Sequence, residues 1–166
     1  LMGLDLRPSI EALSRFRMPS MRGERHQLSD GSTVILDCYN ANPQSMRAAI
    51  SAQLLTHSGP FVLVLGDMLE LGAQATQAHR DLGTFIARSG KDVIVIGVGP
   101  LMEFTIQAAR DEGVASQHSY WFATAEEAGQ CLIDQRPTQT HILIKGSRGV
   151  RLETVWNRLK GLGQDQ

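Results

Sequence analysis

The sequence predicts an α/β three-layer sandwich built on a mainly parallel sheet, with one antiparallel edge strand supplied by an N-terminal hairpin. Three observations lead there. Continuous apolar runs, Phe61-Val62-Leu63-Val64-Leu65 above all, have the pattern of strands covered on both faces. Between such runs lie stretches of ten or more residues with apolar side chains at helical spacing. Alternation on that length scale requires right-handed β-α-β crossovers, and therefore parallel neighbours. Near the start, Ser29-Asp30-Gly31-Ser32 separates two strand-like runs, and an Asp-Gly pair in that position is a hairpin signal.

In chain order, a short amphipathic helix is expected over 8–16, with Ser9 as cap and Ile10, Leu13 and Phe16 on its apolar face. It breaks before Pro19, because a residue preceding proline is pushed out of the helical region. Strands are expected over 24–28 and 33–37. A helix over 43–56 follows, with Asn42 as N-cap, Pro43 in the first turn, Ser45 as a second polar group there, and Met46, Ala49, Ile50 and Leu54 inward. His57-Ser58-Gly59-Pro60 closes it. Strands over 61–65, 93–96, 119–122 and 141–144 then alternate with helices over 74–88, 101–110, 125–132 and 150–159. Thr124 is the expected cap of the third of these.

At 166 residues the chain has the length of one ordinary domain. With 42% apolar and 20% charged residues it has the composition of a folded protein rather than a disordered one. A formal net charge of -1 gives no electrostatic reason to expect nucleic acid or an anionic membrane. Cys38 and Cys131 have no Cys-x-x-Cys spacing, so neither zinc nor a disulfide framework is indicated, and two separate thiols suit a reducing cytoplasm. No apolar run approaches the roughly 20 residues of a membrane span. Leu1 in place of an initiator methionine points to a piece of a longer chain.

In a parallel sheet of this kind ligands sit beyond the carboxyl ends of the strands. The chemistry of the turns there is therefore what matters. Asp37-Cys38-Tyr39-Asn40-Ala41-Asn42 joins a strand ending on a carboxylate to a helix N-terminus, whose N–H groups and dipole favour an anion. Lys145-Gly146-Ser147-Arg148-Gly149 places two cations and a hydroxyl between a strand and a helix. Cations there oppose the helix dipole by a few tenths of a kcal/mol, so a carboxylate or phosphate ligand is their better explanation. Asp67 and Glu70 follow the strand over 61–65 in a loop bounded by Gly66 and Gly72; carboxylates there could equally serve only the helix dipole. Gly97-Val98-Gly99 lacks the third glycine and the distal acid of a dinucleotide fingerprint, so nicotinamide cofactors are excluded. His79 reads as a packing or surface residue, and the other histidines have no partners at metal spacing. The chain contains no Gly-x-x-x-x-Gly-Lys-Ser/Thr and no Gly-x-Ser-x-Gly. It has receptor-like turns without a self-sufficient catalytic set.

Three stretches together resemble one family. They are Asp37-x-Tyr39-Asn40-Ala41-Asn42-Pro43-x-Ser45-Met46, Leu65-Gly66-Asp67-Met68-x-Glu70-Leu71-Gly72 with His79 downstream, and Lys145-Gly146-Ser147-Arg148 with Glu153 downstream. In this order and separation they resemble the Mur ligase family, over about residues 19–159. Tyr39-Asn40-Ala41-Asn42-Pro43 is similar to the version in members that add D-alanyl-D-alanine to UDP-N-acetylmuramoyl-tripeptide, whereas sister ligases carry a Tyr-Ala-His type.

The resemblance implies a Rossmann-like C-terminal domain over 19–166, with 1–18 as the end of a central ATPase domain and its hinge. In such ligases ATP and Mg²⁺, bound mainly by the central domain, convert the tripeptide carboxylate to an acyl phosphate. The amine of D-alanyl-D-alanine then attacks, and phosphate leaves as the amide forms. By resemblance Asp37 would take the ATP ribose hydroxyls, with Asn40 and Asn42 nearby. Arg22, or alternatively Arg25, would reach the phosphates. Lys145, Ser147 and Arg148, with Asp67 and Glu70, would form the dipeptide site. No catalytic residue and no metal ligand are assigned to this domain alone. The rival expectation is a non-catalytic Rossmann-like module that binds a phosphate or carboxylate; a receiver-type signalling domain lacks the acidic cluster it would need at the first strand end.

Overall fold

The computed structural model of the chain describes residues 20–56 and 59–161, together with Pro8, Ile10 and Glu11. Most of the helix expected over 8–16 therefore lies outside the described residues, although Pro8, Ile10 and Glu11 are helical. Six strands, β1 (Glu24–Gln27), β2 (Thr33–Asp37), β3 (Phe61–Gly66), β4 (Val93–Val98), β5 (Ser119–Phe122) and β6 (His141–Lys145), form one sheet in the spatial order β1-β2-β6-β3-β4-β5. Only β1 with β2 is antiparallel; the other four neighbouring pairs are parallel.

Among the residues described from 20 onward, five α-helices cover the sheet: α1 (Pro43–Thr56), α2 (Ala75–Arg88), α3 (Met102–Asp111), α4 (Ala125–Gln135) and α5 (Glu153–Gly161). Met46 of α1, Leu82 and Ile86 of α2, and Met102 and Ile106 of α3 pack with Leu63 and Leu65 on one face. Ala128 and Leu132 of α4, with Val155 and Leu159 of α5, pack with Val62 and Val64 on the other. The continuous apolar run of β3 is thus explained by a strand whose two faces both lie in core, with all six residues buried.

The element starts follow their local chemistry. Asn42 Oδ1 accepts the Ser45 N–H at 2.8 Å while Ser45 Oγ accepts the Asn42 N–H at 3.1 Å, so each satisfies a donor that α1 leaves free. Thr124 and Glu127 form a full capping box on α4. In the hairpin, Gly31 has φ 84, a left-handed turn position that glycine adopts without strain. Asp30 accepts from the Ser32 N–H and from Arg136, which also donates to Ser32 Oγ at 3.1 Å. Burial alone would raise the Asp30 pKa, but the hydrogen bonds from Arg136 and Ser32 outweigh it and hold the carboxyl below its usual value. The hairpin, and with it the edge strand, is fastened to the α4–β6 connection.

The most informative boundary difference is at α5. The helix was expected from 150, yet a 3-10 turn over Arg148–Val150 and Arg151 at φ 57 intervene before it begins at Glu153. The cations of the Lys145–Gly149 turn consequently do not sit on the α5 N-terminus. The dipole argument for a ligand there does not apply.

Candidate functional site at the carboxyl edge of the sheet

β6 is the last strand in the chain but lies between β2 and β3. The chain leaves β2 for α1 on one face, β6 for α5 on the other, and β3 for α2 on the first again. Turns that part to opposite faces on both sides of β6 make this edge the topological switch point, where open α/β sheets hold ligands. The parallel register brings the three strand ends level. Asp37 and Leu65 are both Cα partners of Lys145. Three turns, the outer two 108 residues apart in sequence, thereby meet at one edge.

Lys145 is among the most buried side chains of the protein, with 2% of it exposed, and its Nζ donates to Asp37 Oδ2 at 2.6 Å and to the Asn40 carbonyl at 3.2 Å. An ammonium so far from water is tolerated only when paired and hydrogen-bonded. The pair has a directional consequence. Asp37 keeps 27% of its side chain exposed, and with Oδ2 taken by Lys145 its Oδ1 is the oxygen left for an outside donor. Lys145, expected from sequence at the dipeptide carboxylate, is instead committed to Asp37 and to the shape of the Asp37–Asn40 turn. Asn40 and Asn42 are exposed beside it, Asn42 with its Oδ1 used in capping.

The loop after β3 is held from three directions. Asp67 is 3% exposed. Its Oδ1 accepts the Met102 N–H at 2.9 Å, so it caps the N-terminus of α3. Burial pushes the Asp67 pKa up, against the lowering effect of the Leu101 and Met102 N–H groups and of His79. Gly99, at φ 107, passes so close that a Cβ there would lie 2.7 Å from the Asp67 carboxyl carbon. His79 Nδ1 lies 2.7 Å from the Ala75 carbonyl, to which it donates, leaving Nε2 to accept the Met68 N–H at 3.1 Å. Ser147 Oγ accepts the Leu69 N–H at 3.0 Å, while the Ser147 N–H donates to the Asp67 carbonyl at 3.1 Å. The Ser147 hydroxyl keeps its own proton to donate. Glu70 stands at the exposed crest of this loop with φ 67, the left-handed region that non-glycine residues rarely occupy.

Of the remaining expected residues, Arg148 is exposed and pairs with Glu153 Oε1 at 2.9 Å. Arg22 lies just before β1. Because β1 runs antiparallel to β2, with Glu24 opposite Leu36, Arg22 emerges at the carboxyl edge. Arg25 is opposite Ile35, further down the strand. A cleft of about 440 Å³ opens at the same edge, with Asp67, Leu69, Gly99, Thr124 and Arg151 among its walls. A second, of about 430 Å³, lies at the amino ends of β3 and β4, the edge opposite to where ligands of such sheets bind. Among the described residues no three His, Cys, Asp or Glu side chains come together as a metal site.

His79, expected as a packing or surface residue, is a fully buried packing residue, and its two ring nitrogens also brace the β3–α2 loop. Its signal was spacing: His79, Leu82, Gly83 and Ile86 are the four buried positions of α2, one helical stripe with a polar member.

Comparison with known proteins decides the family. The family model for the Mur ligase glutamate ligase domain matches residues 21–148. The chain belongs to the Mur ligase family. Among curated relatives, the UDP-N-acetylmuramoyl-tripeptide–D-alanyl-D-alanine ligase of Bacillus subtilis is 32% identical over 154 residues, 92% of this chain and 33% of that protein. The ligase of the same name from Treponema pallidum is 36% identical over 135 residues, 80% of this chain and 28% of its own length. A crystal structure of MurF from Acinetobacter baumannii superposes with a TM-score of 0.82 at 32% identity, over 96% of this chain and 34% of that one. The chain thus spans about a third of the Mur ligases it matches. The fold expected from sequence, with its parallel sheet and antiparallel edge, is the one observed.

Proposed function

We propose that the chain is the C-terminal domain, over 19–166, of a cytoplasmic ATP-dependent ligase that joins D-alanyl-D-alanine to UDP-N-acetylmuramoyl-tripeptide in peptidoglycan precursor synthesis, with 1–18 leading in from a central ATPase domain. The observation that carries this reading is the meeting of three family motifs at one edge of the sheet, in a chain a third as long as ligases of that activity. In this reading Asp37 accepts the ribose hydroxyls through the oxygen Lys145 leaves free. Arg22 reaches the phosphates, with Asn40 and Asn42 alongside.

The dipeptide site is assigned to the neighbouring turns. Ser147 has a hydroxyl proton to give a carboxylate, and Arg148 can turn from Glu153 to a ligand without leaving water. Glu70, at the crest of the loop, suits the amino group, while Asp67 and Lys145 act by holding the turns in shape. Mg²⁺ is assigned to the central domain, which the family resemblance makes the main holder of ATP and its metal. The chemical contribution of this domain is then positional. Closing over the ATPase domain holds the attacking amine near the activated carboxylate and keeps water from a hydrolysable intermediate.

The experiment is to express the parent reading frame and measure phosphate release with ATP, Mg²⁺, UDP-N-acetylmuramoyl-tripeptide and D-alanyl-D-alanine. Release that requires both peptide substrates, and that disappears when 19–166 is deleted, is expected. A parent protein with no ATPase domain, or one that binds a phosphate or carboxylate ligand without turnover, would replace the ligase by a binding module.

A further inference from the structure

Tyr39 is a large aromatic side chain left 45% exposed at the carboxyl edge of the sheet, two residues past Asp37. It does not stand alone. The Arg22 guanidinium carbon lies 4.2 Å from the centre of its ring, and the Tyr39 N–H donates to the Met21 carbonyl at 3.2 Å. Arg22 is therefore tied to the residue two places after Asp37 through both ring and main chain. The backbone around it has an unusual shape: Met21 at φ 59 and Gly23 at φ 72 are both left-handed. Gly23 takes that conformation freely, whereas Met21 must be held in it. The Tyr39 hydrogen bond and the contact of Arg148 Nη1 with Met21 Sδ at 3.0 Å are two such restraints. The result turns Arg22 back over the β2–α1 turn instead of letting it trail along β1.

We infer that Tyr39 is a positioning residue: its ring face holds the Arg22 guanidinium at the carboxyl edge of the sheet, next to Asp37, ready for a polyphosphate. The inference rests on the reading of Arg22 as the phosphate contact. An arginine stem has several rotatable bonds, and a ring beneath its planar head restricts them before the ligand arrives. Stacking uses the face of the guanidinium and leaves its N–H donors, which lie in the plane, free for phosphate oxygens.

The test uses the full-length ligase with ATP varied. Tyr39→Leu should raise the KM for ATP about two- to fivefold, the range expected from an exposed cation–π contact, with kcat and the melting temperature close to those of the wild type. Tyr39→Phe, which keeps the ring face, should restore the wild-type KM. Arg22→Ala should raise the KM further, and Tyr39→Leu added to it should change nothing more. A Tyr39→Leu enzyme with wild-type KM alongside an impaired Arg22→Ala enzyme overturns the role of Tyr39 and leaves that of Arg22 standing. An effect of Tyr39→Leu that persists without Arg22 also overturns it, since the ring would then act on the nucleotide itself. A wild-type KM in Arg22→Ala removes Arg22 from the phosphate site and the inference with it.

Discussion

The carboxylate of Asp37 and the ammonium of Lys145 share one hydrogen bond but differ in what each could do alone. Lys145 is almost wholly enclosed, while Asp37 reaches water. Removing one partner of a buried pair costs about 3–5 kcal/mol when the survivor stays buried, and less when it can rehydrate. Asp37→Ala strands an ammonium; Lys145→Met strands only a carboxylate at the surface. Urea unfolding of the two variants should therefore show the larger loss for Asp37→Ala, near the upper part of that range. Equal losses would mean that Lys145 finds water when Asp37 is gone. Asp67 allows a test by pH. Its pKa is raised by burial, so the folded state binds its proton more tightly than the unfolded chain, whose carboxyl has the ordinary value of 3.8. The contribution of Asp67 to stability is then fullest below that value and diminishes as pH rises through the folded pKa. Melting curves of wild type and Asp67→Asn should show the wild-type advantage shrinking from acid to neutral pH. A constant or growing advantage would contradict the burial argument.

Among the elements, α2 and α3 meet at Gly83. A Cβ there would lie 2.2 Å from the Thr105 carbonyl oxygen and 2.9 Å from the Ala109 nitrogen, both main-chain atoms that cannot step aside. Gly83→Ala should destabilise the chain by about 1–3 kcal/mol or more through overpacking, in spite of the roughly 1 kcal/mol that alanine favours a helix. Gly129→Ala in α4 is the control. Its nearest new neighbour, at 3.0 Å, is Arg158 Cδ on a flexible side chain, so helix propensity should prevail and stability should hold or rise. Similar losses in both would show that the α2–α3 approach is not the cause. The same elements mark what sequence conveys. β3 was legible because two buried faces leave an unbroken apolar run, and α1 and α4 because their caps lie within three residues of each other in sequence. The late start of α5 was hidden, since Val150 and Leu152 continue an apolar pattern through a turn that is not α-helical.

At the scale of the whole molecule, local pattern predicts the kind of sheet but not its strand order. Crossovers of this length can reach several neighbours, and only packing places β6 between β2 and β3. The site inherits that division. Its three turns were recognisable one by one, yet the pairing of Lys145 with Asp37, 108 residues away, depends on the order of the strands. The chain buries core on both faces of its sheet and carries no P-loop sequence. The purified 166-residue chain should therefore melt cooperatively and release no phosphate from ATP, Mg²⁺ and D-alanyl-D-alanine above background. Turnover would show a nucleotide site of its own.

Nucleotide discrimination separates an Asp37 that holds the ATP ribose, as proposed, from one that only braces its turn. In the full-length ligase the ratio of kcat/KM for ATP to that for 2′,3′-dideoxy-ATP does not depend on how much of a variant is folded. A hydrogen bond to a charged group is worth about 1.5–3 kcal/mol, so the wild type should favour ATP roughly ten- to a hundredfold. In Asp37→Ala the ratio should fall towards one. An Asp37→Ala enzyme that still rejects the dideoxy nucleotide as sharply as the wild type would show that Asp37 does not hold the ribose.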